Sequence, residues 1–153
     1  MLLTMKTFKS NLREVSAVYK SNPSIHNIKI SSSHDVNDYI RKVYPVEINI
    51  REAMVVLFLN NANRTVGYSV AGIGGFTATL VDIRLVLRDA LLTQSTGIIL
   101  IHNHPSGSLT PSEADKTITD KIKKAANLMD IKLLDHLILT EDRYYSFAHH
   151  AKL

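Results

Sequence analysis

The 153-residue sequence contains no cysteine. Disulfide frameworks, thiolate metal sites and a cysteine nucleophile are therefore excluded, and secretion gains no support. No stretch approaches the roughly 20 apolar residues that cross a bilayer, and Met1-Leu2-Leu3-Thr4-Met5-Lys6 lacks the charged-then-apolar order of a signal peptide. A dense basic run is missing too: 18 Lys+Arg against 14 Asp+Glu leave a net charge of +4, which reads as an ordinary mixed surface. Gly72-Ile73-Gly74-Gly75 has neither the Lys-Ser/Thr of a P-loop nor the spacing of a dinucleotide fingerprint, so it reads as a connection and not a phosphate cradle. There is no internal repeat, low-complexity tract or interdomain linker. What remains, 45% apolar and 21% charged residues, is the composition of one globular domain with a single substantial core, expected in the cytoplasm.

The hydrophobic pattern predicts alternating strands and helices. Residues 1–30 are expected to be an N-terminal extension packing on the core, with a short strand over Val15 to Tyr19, a turn at Ser21-Asn22-Pro23-Ser24 and an extended piece over Ile28 to Ile30. Ser31-Ser32-Ser33 caps a helix from about His34 to Tyr44, with Val36, Tyr39, Ile40 and Val43 on its buried face and Pro45 as its stop. Glu52 to Leu59 reads as a central strand, Asn60 to Arg64 as a hairpin loop and Thr65 to Ala71 as the returning strand. Asp82 caps a helix over Ile83 to Leu92, with Val86, Leu87, Ala90 and Leu91 facing inward. A third helix, from Pro111 to about Met129, carries an apolar stripe of Ala114, Ile118, Ile122, Ala125 and Met129 and a solvated face with Lys116, Lys121, Lys123 and Lys124. Ile131 to Thr140 and Tyr144 to Phe147 are the last strands. The alternation implies an α/β fold with helices on both sides of a mixed sheet.

The chemistry concentrates in Ile98-Ile99-Leu100-Ile101-His102-Asn103-His104-Pro105-Ser106-Gly107 and Thr110-Pro111-Ser112-Glu113-Ala114-Asp115. The aliphatic run is a buried strand, and a side-chain period of two sends His102 and His104 out of its end on one face. Thr110 as N-cap, Pro111 at the first helical position and Glu113 closing a capping box predict a helix start, in whose first turn Ser112 and Asp115 share a face. Two neutral nitrogens and one carboxylate, His102, His104 and Asp115, suit one Zn²⁺ per chain with an open fourth position, the form of a catalytic site. Ser112 is placed to donate a hydrogen bond to a developing oxyanion. His26, His34, His149 and His150 read as solvated or tail histidines outside the ligand set.

His102-x-His104-Pro105 followed by Ser112-x-x-Asp115 resembles the JAMM/MPN metallohydrolase motif, and the longer string, continued by Leu133-Leu134-Asp135-His136, is similar to its RadC-type bacterial branch over most of the chain. The resemblance implies a three-layer α-β-α, cytidine-deaminase-like JAMM/MPN fold for residues 31–153. It also implies a general base on an early strand. Alone, Glu52 at a strand entrance would read as a surface charge; the resemblance assigns it the catalytic proton transfer, with Glu47 a distant competitor. The implied activity is a zinc metallopeptidase or isopeptidase acting on an amide-bearing peptide or protein. Two other readings stay open: a DNA-associated repair or processing factor, as the RadC label suggests, and a non-catalytic scaffold. No Gly-x-Gly hairpin precedes Glu52, so the helix-hairpin-helix appendage common in RadC-type proteins is expected to be absent. A cytidine deaminase is excluded because its Cys-x-x-Cys ligands cannot exist here. Asp135-His136 reads either as a pair orienting a ligand imidazole or as a plain buried hydrogen-bonding pair.

Overall fold

A computed structural model describes residues 18–19, 27–74 and 81–153. Its elements are α1 (Ser33–Ile40), β1 (Ala53–Leu59), β2 (Thr65–Ile73), α2 (Ile83–Leu92), β3 (Gly97–Asn103), α3 (Glu113–Asn127), β4 (Lys132–Leu139) and β5 (Tyr144–Ser146). The strands form one mixed sheet in the order β2-β1-β3-β4-β5. Only β3 and β4 run parallel, joined through α3; the other neighbours are antiparallel. β1 and β3 are buried along their whole length, as continuous aliphatic runs require when both sheet faces are covered.

Each face has its own core. Met54, Val56, Phe58, Ile98 and Leu100 pack with Val86 and Ala90 of α2 and Ile122 and Ala126 of α3. Val55, Leu57, Ile99, Ile101, Leu137 and Leu139 pack with Val36 and Ile40 of α1. This is the three-layer α/β arrangement expected from the sequence. Among the described residues, no helix is long and apolar enough to cross a membrane.

Several boundaries differ from the expected ones. α1 ends at Ile40, short of Tyr44, and passes into a turn, leaving Val43 44% exposed. The residue before a proline disfavours the helical region, so Tyr44 leaves the helix path, and its hydroxyl donates to the Ala53 carbonyl at 2.6 Å. In α2, Asp82 is the N-cap as expected, but Leu91 turns outward at 52% exposure while Val86 and Ala90 face the sheet. β2 runs on through Gly72 to Ile73, and the Gly74 N–H donates to the Glu52 carbonyl at 2.8 Å; Gly75 lies outside the described residues. Val15 of the expected N-terminal strand also lies outside them, whereas Val18 and Tyr19 are exposed and belong to no strand. The piece before α1 does pair: Lys29 bridges Arg64 and the Thr65 N–H donates to the Ile28 carbonyl at 2.9 Å.

The largest correction concerns α3. Thr110-Pro111-Ser112-Glu113-Ala114-Asp115 contains two overlapping capping boxes, Thr110 with Glu113 and Ser112 with Asp115, and the second one forms. Ser112 is the N-cap: its Oγ accepts from the Asp115 N–H at 3.1 Å, and the Asp115 carboxylate accepts from the Ser112 N–H at 2.6 Å. The helix starts two residues later than expected, and its buried stripe is Asp115, Thr119, Ile122 and Ala126, while Ala114 and Met129 face solvent. The polar pair Asp115 and Thr119 thus takes the inner places expected of Ala114 and Ile118.

Candidate metal centre

The register explains why the site forms at one end of the sheet. Met54 of β1 pairs with His102 of β3 in antiparallel sense, so the chain entering β1 and the chain leaving β3 meet at the same edge. Two residues beyond Met54 and His102, strand alternation puts Glu52 and His104 on the same face as that pair. Open α/β sheets collect ligands at such carboxyl ends of parallel strands.

His102 and Asp115 are buried, 2% and 7% exposed, and His104 is half-buried. His102 Nε2 stands 2.9 Å from His104 Nε2 and 3.1 Å from Asp115 Oδ1, and His104 Nε2 stands 3.4 Å from Asp115 Oδ2. Tetrahedral zinc with bonds of about 2.0–2.1 Å has ligand-to-ligand edges of roughly 3.3 Å, so the three groups already stand at ligand spacing. Among the described residues this is the group able to hold a metal ion.

The hydrogen bonding around His104 sharpens that fit. Gly107, at φ +76°, closes a turn by donating its N–H to the His104 carbonyl at 3.0 Å. That conformation favours glycine, and it lets the Ser108 carbonyl fold back to accept from His104 Nδ1 at 2.7 Å. A carbonyl can only accept, so Nδ1 carries the hydrogen and neutral His104 offers its Nε2 lone pair inward. That lone pair faces an acceptor-only carboxylate, an arrangement that a cation completes. The Asp115 carboxylate holds the His104 pKa above its usual value, helped by the Ser108 carbonyl and opposed by burial. Burial would raise the Asp115 carboxyl, but the close approach of His102 and His104, with hydrogen bonding from Ser112, outweighs it and holds the group well below the usual carboxylate range.

Glu52, His104 and Ser112 line one cleft with Ile50, Pro105 and Ser108. Glu52 is partly buried there, and its charge acts on both His104 and Tyr44. Glu47 is exposed and lines a separate pocket with Arg41 and Glu141. All five sequence-predicted site residues, His102, His104, Asp115, Glu52 and Ser112, therefore meet at one sheet end.

Asn103, between the two histidines, points to the opposite face and is fully buried. Its Oδ1 accepts from the Ala53 N–H at 2.8 Å, and its Nδ2 donates to the carbonyls of Ile48 at 2.7 Å and Arg51 at 2.6 Å. The amide therefore fastens the backbone on both sides of Glu52. Sequence reasoning missed it because attention to the same-face pair His102 and His104 passes over the residue between them. Thr119 was missed as well: its hydroxyl stands 2.6 Å from His136 Nδ1, and His136 Nε2 stands 2.8 Å from His102 Nδ1. The signal was its position four residues after Asp115, on the same helix face.

Asp135 and His136 divide between the two faces. Asp135 accepts from the N–H groups of His136 and Ala148, at 2.7 and 2.9 Å, and from the Ser146 hydroxyl at 2.6 Å, tying the C-terminal hairpin down. His136 turns towards α3 and contacts His102. Complete burial and the neighbouring His102 push its pKa well below the usual histidine value, which keeps the ring neutral.

The model of the RadC-like JAB domain matches residues 30–152. The chain belongs to that family. It is 48% identical over 120 residues to a UPF0758 protein of Flavobacterium johnsoniae, covering 78% of this chain and 52% of the relative. The UPF0758 proteins YfjY and YkfG of Escherichia coli K12 are 43% and 37% identical, over 67% and 82% of this chain and 64% and 78% of their own lengths. This RadC-like chain thus spans about half the length of the first of these relatives and about two thirds to four fifths of the other two.

Proposed function

We propose that this RadC-like domain is a zinc-dependent hydrolase of amide bonds, a metallopeptidase or isopeptidase whose substrate is a peptide or protein. The observation that carries the reading is the convergence of His102, His104 and Asp115 at ligand spacing beside a cleft that also holds Glu52 and Ser112. Zinc in that set supplies Lewis acidity and a water whose pKa falls from about 15.7 towards about 7. Glu52, as general base, accepts the proton of the attacking water and then returns it to the departing amine nitrogen. The Ser112 Oγ, which accepts from the Asp115 N–H, keeps its own hydrogen to donate to the carbonyl oxygen as it gains charge. His102, His104 and Asp115 hold the ion, and Asn103 fixes the segment that presents Glu52.

An amide is favoured over a nucleic acid. One three-ligand site suits phosphodiesters less well than a two-metal cluster. The lysine face of α3 is also partly neutralised, by Lys116 with Glu113 at 2.6 Å and Lys124 with Asp120 at 2.7 Å. A cysteine-free chain is suited to the reducing cytoplasm, where we place the activity.

The test is metal content and turnover of an isopeptide-linked substrate panel for the wild type, His104→Ala and Glu52→Gln. The expected result is about one zinc per chain in the wild type and Glu52→Gln, little in His104→Ala, and turnover by the wild type alone. A wild type without metal would end the metalloenzyme reading. Turnover by Glu52→Gln at the wild-type rate would remove Glu52 from the mechanism.

A further inference from the structure

His136 is fully buried, out of reach of any substrate, yet it touches the metal cluster. The hydrogens along its contacts can be assigned one at a time. The Asp115 carbonyl can only accept, so the Thr119 hydroxyl, 2.5 Å away, donates its hydrogen there. Thr119 Oγ1 is then an acceptor for His136 Nδ1 at 2.6 Å, and His136 carries its hydrogen on that nitrogen. A neutral imidazole protonated at Nδ1 presents a lone pair at Nε2, so across the 2.8 Å contact His102 must donate from its own Nδ1. His102 Nε2, facing His104 and Asp115, is left with its lone pair.

We propose that Thr119 and His136 form a relay of fixed direction that locks His102 in the Nδ1–H tautomer and so presents Nε2 as a metal ligand. Both are positioning residues, acting through His102. Phe147 stacks on the His136 ring at 4.8 Å and 10° and sets its plane. The relay closes on itself. Asp115 gives one ligand through its carboxylate, while its carbonyl, through Thr119 and His136, sets the tautomer of another. With His104 oriented independently by the Ser108 carbonyl, the inward-facing atoms of all three residues are acceptors.

The proposal rests on the metal-centre reading, and the experiment separates the two. Zinc affinity is measured by competition with a chromophoric chelator for the wild type, Thr119→Val, His136→Leu and His136→Gln, with circular dichroism and thermal melts as the folding control. His136→Leu is expected to bind about 10- to 100-fold more weakly. His136→Gln, whose Oε1 can accept from His102 Nδ1–H, is expected to recover most of that loss, and Thr119→Val to fall in between. Nitrogen-15 NMR of the metal-free wild type at alkaline pH is expected to show His102 protonated at Nδ1, and Thr119→Val a mixture of tautomers. A folded His136→Leu with wild-type affinity, or a wild-type His102 protonated at Nε2, would overturn the relay. If His136→Leu does not fold, Thr119→Val carries the same test: wild-type affinity with a single unchanged tautomer overturns the proposal. A wild type that binds no zinc would overturn the metal reading, and the NMR tautomer would still decide for or against the relay.

Discussion

The two faces of the sheet bury similar aliphatic cores but use their polar residues in opposite ways. On the α1 face, Asn103 and Asp135 direct most of their hydrogen bonds to backbone groups, fastening the segment around Glu52 and the C-terminal hairpin. On the α3 face, His102, Asp115, Thr119 and His136 bond mainly to one another and converge on the cleft. Neighbours in sequence are therefore divided in role. Asn103 stands between two ligand candidates and serves the opposite face, and Asp135 and His136, one residue apart, hold different parts of the protein. Strand alternation makes one short motif serve both.

That contrast predicts a separation of stability from metal affinity. Asn103→Leu is expected to have the largest effect on stability. It orphans the Ile48 and Arg51 carbonyls and the Ala53 N–H, and at roughly 1–3 kcal/mol per buried unsatisfied group the loss should be about 3 kcal/mol or more, read by urea unfolding. An unchanged midpoint would mean that the Glu52 segment is held by something else. Asp135→Ala should come next, about 2–3 kcal/mol, with zinc affinity within about twofold of the wild type because its bonds lead away from the site. A large loss of affinity in a folded Asp135→Ala would break the division of labour between the faces.

Ser112→Ala should cost about 1 kcal/mol as a lost N-cap, and the metal should stay because the Ser112 N–H still orients the Asp115 carboxylate. If Ser112 also serves the oxyanion, turnover falls on the order of 10²–10³. Lost stability with unchanged turnover would leave Ser112 as a cap alone. The smallest effect lies at the far end of the molecule. The Ser31 N–H bond, together with the bonds from Ser32, lowers the Asp35 pKa in the capping box of α1. A depressed acid contributes its stability above its unfolded pKa of about 3.9 and loses it as pH falls through the folded value. The melting temperature should therefore decline slightly more on acidification in the wild type than in Asp35→Asn, and identical acid profiles would contradict this.

The strands and the convergence of His102, His104 and Asp115 were legible because their signals are local. A run such as Ile98 to Ile101 has few alternatives as a buried strand, and His102-x-His104 with Ser112-x-x-Asp115 depends only on spacing along the chain. The start of α3 was less legible: Thr110-x-x-Glu113 and Ser112-x-x-Asp115 are both capping boxes, and the burial of Asp115 against the histidines accompanies the second. Leu91 and Met129 fit an inward stripe by periodicity, yet the helices meet the sheet along narrower lines and leave both exposed. Asn103 gave no local signal, and Thr119 only its place four residues after Asp115. Their partners lie across the sheet or on another element, so only the tertiary arrangement reveals them.

The most direct test of the metal centre is anomalous diffraction from crystals of the zinc-loaded protein, recorded on both sides of the zinc absorption edge. The account predicts one strong peak per chain between His102 Nε2, His104 Nε2 and the Asp115 carboxylate, each at about 2.0–2.2 Å. No peak there, or a peak confined to other residues, would contradict it.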